Sequence, residues 1–196
     1  MQEGTVLVMD LYAETRQDKK EDIPLKEIQE EFLDEAEQYL MLDSSQKFLE
    51  NVVKEITPAD FFYMRGLNEY DQAPTKEFAY DIKYGEMYKT LDNMALVDKL
   101  IETYNYNFKQ KDGVILAAAV MDMFHKYDDD NVMQHVFRPL YRLHSHKGIL
   151  TKDTKYYMDT SCMCHLGKHS QGVNTDLYEP EFKIVHRADM LTTQGV

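Results

Sequence analysis

Residues 128–159, DDDNVMQHVFRPLYRLHSHKGILTKDTKYYMD, hold the densest set of structural signals in the chain. After the acidic start the pattern predicts a short helix from Asn131 to Phe137 and a second from Pro139 to Lys147, because proline is tolerated at a first helical position and breaks helix interiors. Gly148 supplies a stop. Ile149 and Leu150, a polar turn from Thr151 to Lys155, and then Tyr156, Tyr157 and Met158 read as a β-hairpin with the turn at its tip. On this reading Leu140, Leu143, Ile149 and Leu150 face a core. Tyr141, Arg142, Ser145, His146 and Lys147 then lie on the other side of the second helix.

Working outward, Asp112 to Tyr127 is predicted as a helix whose run Val114 to Met121 is apolar throughout, the mark of an element central to a core. Leu91 to Tyr104 is predicted as another, burying Leu96, Leu100 and Ile101. Residues 68–90, with Tyr70, Tyr80, Tyr84, Tyr88, Pro74 and Gly85, show no clear period and read as a connector whose tyrosines are packing groups. Near the start, Thr5 to Tyr12 reads as a short strand. Leu25, Ile28, Phe32, Ala36 and Tyr39 recur at helical spacing after Pro24, with Asp22 as a cap. A further helix begins near Asp43, where Asp43 and Gln46 have capping-box spacing, and buries Phe48, Leu49, Val52 and Ile56. Thr57 and Pro58 open a short third, stopped by Gly66. The expected fold is mainly α, an α+β arrangement with one small hairpin. It divides into an acidic strand-plus-helix region (1–66), a Tyr-rich connector (67–90), a hairpin-bearing domain (91–160) and a Cys/His loop with a C-terminal strand (161–196).

Charge is distributed unevenly. The 196 residues carry a formal −13, a total that argues against non-specific coating of nucleic acid. Residues 1–60 hold 6 basic and 16 acidic side chains, whereas residues 131–175 are locally +4. The acidic front reads first as a solvated helical face. Its sharper reading is a surface that occupies a basic site on a partner, through Glu30, Glu31, Asp34 and Glu37.

A helix ending in Lys147-Gly148-Ile149-Leu150, a charged turn and a returning aromatic strand resembles the winged helix-turn-helix superfamily, over about residues 112–159. That resemblance implies a recognition helix and a wing. Arg142 would reach a base edge, and Arg138, Tyr141, Ser145, His146, Lys147, Lys152 and Lys155 would complete a nucleic-acid face. Winged helices also serve as protein-docking modules, which leaves a transcription or replication protein as an equal partner.

Cys162, Cys164, His165 and His169 place four soft or borderline donors within eight residues, a density that suits zinc if His144, His146 or His186 folds back on them. The spacing departs from the usual Cys-x-x-Cys knuckle, so ordinary loop residues are the competing reading. Two cysteines one residue apart strain a disulfide, which favours reduced thiols. His125 beside Asp122 and Asp128 to Asp130 reads as a helix end with its capping acids.

Phosphate-loop, nucleophile-elbow, His-Glu-x-x-His and dinucleotide-binding motifs are missing from the sequence, so it points away from the familiar enzyme classes. The start lacks a basic segment and an uninterrupted apolar stretch, and no apolar run approaches the roughly 20 residues of a membrane span, so a cytoplasmic protein is expected. The Trp-free, Met- and Tyr-rich chain is similar to many bacteriophage accessory proteins. The expected role is a small regulatory protein that contacts nucleic acid or the transcription or replication machinery. The alternative is an acidic inhibitor seated on a host protein.

Overall fold

The computed structural model describes residues 23–63, 84–123, 132–167 and 178–194. The first helix, α1, spans Leu25–Glu37 and buries Ile28, Phe32, Leu33 and Ala36, a stripe at three- and four-residue spacing that the sequence shows directly. Pro24 stands at its N-cap, and its carbonyl accepts from the amides of Glu27 and Ile28. The expected cap, Asp22, and the expected strand at Thr5 to Tyr12 lie outside the described residues, as does Gly66.

Helix α2 spans Asp43–Asn51, and Leu42 at its N-cap has no side chain able to cap. The expected Asp43–Gln46 capping box does not form. Instead both carboxylate oxygens of the fully buried Asp112 accept, at 2.9 Å, from the amides of Met41 and Leu42. A carboxylate 70 residues beyond Leu42 thus holds the two amides at the entry to α2. The helix then widens into a π-turn, Val52–Ile56, closed by the Thr57 amide on the Val52 carbonyl at 2.7 Å. Gln29 Nε2 donates to the Val53 carbonyl at 2.8 Å. After Pro58 comes α3, Ala59–Tyr63, whose Phe61 and Phe62 pack edge-to-face with Phe32 of α1.

Helix α4, Gly85–Ile101, begins well inside the expected connector. Its buried stripe Met87, Leu91, Met94, Val97 and Ile101 follows helical spacing. The residue before it, Tyr84, is fully buried with a left-handed φ of 66°, and its hydroxyl donates to the Ile23 carbonyl at 3.3 Å. A bulky residue pays strain there, and this burial and hydrogen bond hold it. Helix α5, Phe108–Val120, is capped by a reciprocal box between Asn107 and Gln110. It is buried on every side from Asp112 to Val120, which makes it the central element.

Helix α6 spans Val132–Arg142 and runs through Pro139, so the two expected helices are one. Proline costs the helix the hydrogen bond to residue 135, and burial of Val136, Pro139 and Leu143 along one side offsets that loss. Helix α7, Lys152–Cys164, overturns the expected β-hairpin. Thr151 is its N-cap and accepts from the Thr154 amide at 3.1 Å, and the presumed wing is the first helical turn. Helix α8, Ile184–Gln194, replaces the expected C-terminal strand and buries Ile184, Val185, Ala188 and Thr192. No strand occurs among the described residues, so the mainly helical expectation holds and the α+β one does not. One apolar cluster draws on side chains from Ile28 to Ala188, with α5 packed most extensively against α7. Among the described residues no helix is long and apolar enough to cross a membrane.

Candidate functional site

The outward side of α6 and the turn after it carry Arg138, Tyr141, Arg142 and Ser145 of the residues that the sequence singles out. With Val136, Pro139 and Leu143 turned inward, Tyr141 is 82% exposed, Arg142 and Ser145 are exposed and Arg138 is half-buried. The neighbouring Phe137 is also exposed. Positions 137 and 138, 141 and 142, and 145 fall one helical turn apart, so aromatic and cationic side chains alternate along one stripe. The chain then turns through His144 and His146 into a 3-10 turn, Lys147–Ile149, and α7 opens with Lys152 exposed and Lys155 half-buried.

Lys147 is not part of that face. It is 3% exposed, and its Nζ donates to Asp159 Oδ1 at 2.6 Å and to the Leu140 carbonyl at 3.1 Å. An expected phosphate ligand is thus a bolt between the end of α6 and the middle of α7. Its aliphatic stem and paired head belong inside once α7 is a helix, because Asp159 then lies on the side of α7 that reaches it.

The alternative acidic surface lies on α1. Glu30 and Asp34 are exposed, Glu31 and Glu37 half-buried, and Lys26 pairs with Glu30 at 3.5 Å. Glu31 accepts from the Tyr88 hydroxyl at 3.5 Å, so that acid partly serves the α1–α4 contact.

The cysteines of the Cys/His group are helical rather than in a loop. Cys162 and Cys164 lie buried near the end of α7, and Cys162 Sγ faces the Ala117 carbonyl of α5 at 3.8 Å. His165 is 1% exposed with Nδ1 on the Cys162 carbonyl, and His186 of α8 sets Nδ1 on the His165 carbonyl at 2.7 Å. Gly167, at φ +54°, receives the His186 ring so closely that a Cβ would stand 2.5 Å from Nε2. Burial pushes the Cys162 thiol far up and the Cys164 thiol to about 11, so both are protonated near neutral pH. Among the described residues no three His, Cys, Asp or Glu side chains are grouped to hold a metal ion. His169, His125 and Asp128 to Asp130 lie outside them.

One polar cluster escapes sequence reasoning. Lys89 of α4 sets its Nζ 3.0 Å from Asp189 of α8, 3.2 Å from Asp122 after α5 and 3.7 Å from Glu86. Burial pulls the ammonium pKa down, but Asp122, Glu86 and Asp189 together outweigh it and hold it well above the ordinary value. A lysine so held is neither a base nor a nucleophile near neutral pH. One turn along, Asn93 accepts from Thr192 at 2.6 Å while its own buried Nδ2 finds no partner among the described residues. The Glu86–Lys89 spacing is the one local signal; Asp122 and Asp189 are remote in sequence.

A second unforeseen group is a chain of rings, Tyr104, Tyr106, Tyr157, Tyr156, Phe182 and Tyr178, with neighbouring centroids 4.9 to 6.4 Å apart. Its hydroxyls are largely engaged within the fold: Tyr106 donates to the Glu181 carbonyl and Tyr157 accepts from Gln110. Burial and the Glu181 charge push the Tyr106 phenol up. These rings are mainly packing.

Compared with protein-family models, with curated proteins and with solved structures, the chain matches none.

Proposed function

We propose that this is a non-catalytic accessory protein that contacts nucleic acid through the outward side of α6 and the first turn of α7. The observation that carries the reading is the exposure of Tyr141 and Arg142 on a helix whose other side is buried, in the one part of the chain where positive charge is in excess. Solvated arginines and lysines on an otherwise acidic molecule focus attraction for an anion without coating the surface. Among the buried ionisable groups, Lys89 is locked as an ammonium and both thiols stay protonated, so none of these three offers a nucleophile near neutral pH.

The test is fluorescence anisotropy with labelled oligonucleotides at low salt. The triple variant Arg142→Ala, Lys152→Ala, Lys155→Ala, checked for fold by circular dichroism, binds at least tenfold more weakly on this reading. Equal binding by wild type and variant overturns it.

The acidic side of α1 favours a second reading, a protein that masks a basic surface on a transcription or replication partner. Nuclease-treated capture of such a partner, abolished by Glu30→Gln, Glu31→Gln, Asp34→Asn and Glu37→Gln together, is its signature. Capture that survives those four substitutions removes it.

A further inference from the structure

We infer that the nucleic acid this face takes is single-stranded, with unpaired bases stacking on Tyr141 and Phe137 while Arg142 meets the phosphates. The inference rests on the proposed function and names its ligand class. Its first ground is exposure: Tyr141 is 82% and Phe137 38% exposed, on a helix that buries Val136 and Pro139 on its other side. Exposed rings beside arginines form the platform on which unpaired bases stack, whatever their sequence.

The second ground is spacing. Residues four apart on a helix are separated by about 6 Å along its axis. The bases of one B-DNA strand step by about 3.4 Å, so rings this far apart match an unstacked, extended strand better than a duplex.

The third ground is charge. A duplex carries one negative charge per ~1.7 Å and calls for cations on both flanks of an inserted helix. Here Lys147, which would have guarded the end of α6, is buried on Asp159, and the chain totals −13. Arg142, Lys152 and Lys155 remain, enough for a short strand of lower charge density. Three such contacts give a salt dependence with a log–log slope of about −2.

Anisotropy with a labelled oligo-dT strand and with a blunt duplex of equal length tests this on the full chain. The strand is expected to bind at least tenfold more tightly than the duplex. Tyr141→Ala should cost about tenfold on the strand and Tyr141→Phe little, since the ring and not the hydroxyl stacks. Tyr141 is a surface residue, and unchanged circular dichroism and thermal midpoint verify that each variant is folded. Equal affinity for strand and duplex, or an undiminished Tyr141→Ala beside a weakened Arg142→Ala, overturns the single-strand inference and leaves the proposed function standing. Failure of wild type to bind either oligonucleotide overturns both.

Discussion

Gly113 of α5 lies so close to Thr154 of α7 that a Cβ on the glycine would stand 2.5 Å from the threonine carbonyl oxygen. The same Cβ would meet Tyr157 Cβ at 2.7 Å and the Met158 amide nitrogen at 3.1 Å. Two of these neighbours are backbone, so the contact cannot be relieved by a side-chain rotation.

Gly113→Ala is therefore expected to destabilise the fold by about 2 kcal/mol, although alanine is intrinsically the better helix former by about 1 kcal/mol. Chemical denaturation followed at 222 nm measures it. A stability gain would mean that α5 and α7 do not cross this closely.

Removing the Lys89 ammonium takes away a cation that Glu86, Asp122 and Asp189 share. Lys89→Met is expected to cost about 3–5 kcal/mol, and adding Asp122→Asn and Asp189→Asn to recover part of it. The wild type carries the same effect in its pH dependence. With the folded pKa above the ordinary 10.5, the contribution is complete below that value and is lost as pH rises through the folded pKa. Denaturation midpoints should fall in strong alkali, and those of Lys89→Met should fall less steeply.

The Lys147–Asp159 pair is asymmetric, with side-chain exposures of 3% and 27%. Asp159→Asn strands a buried ammonium and is expected to cost about 3 kcal/mol, whereas Lys147→Met leaves a carboxylate that water can reach and costs about 1 kcal/mol. The order of the two denaturation midpoints decides this. Lys147→Met should also leave oligonucleotide binding unchanged, which separates this lysine from Arg142.

Cys162 and Cys164 should resist a thiol reagent such as dithionitrobenzoate in the native state and react fully in denaturant, because both are buried and held protonated. For Cys164 the folded value of about 11 exceeds the ordinary 9.0, so its ionisation opposes folding as pH climbs between them. Rapid native labelling would show that the end of α7 opens.

Periodicity revealed the helices whose buried sides are apolar, as with Ile28, Phe32 and Ala36 or the continuous run in α5. It missed α7 because the inward positions there include Thr154, Thr160, Ser161 and His165, polar by type and buried in fact. The spacing of Thr154, Met158, Ser161 and Cys164, by four, three and three residues, is visible only once polar residues are admitted to the core, and Tyr156, Tyr157 and Met158 then cease to read as a strand. Pro139 misled for a related reason, since tertiary burial overrode a local preference. The outward placement of Tyr141, Arg142 and Ser145 survived because both readings made residues 139–142 helical. The Lys89 cluster was illegible, as two of its acids come from elements far along the chain.

The Asp112 carboxylate that holds the entry to α2 also fixes an order of events. During synthesis at about 5–20 residues per second, Met41 and Leu42 leave the ribosome some 4–14 s before the aspartate that accepts from their amides. This link between the entry to α2 and α5 therefore forms only after the centre of the chain has been made, and a truncated product ending before α5 would lack both its core helix and that acceptor.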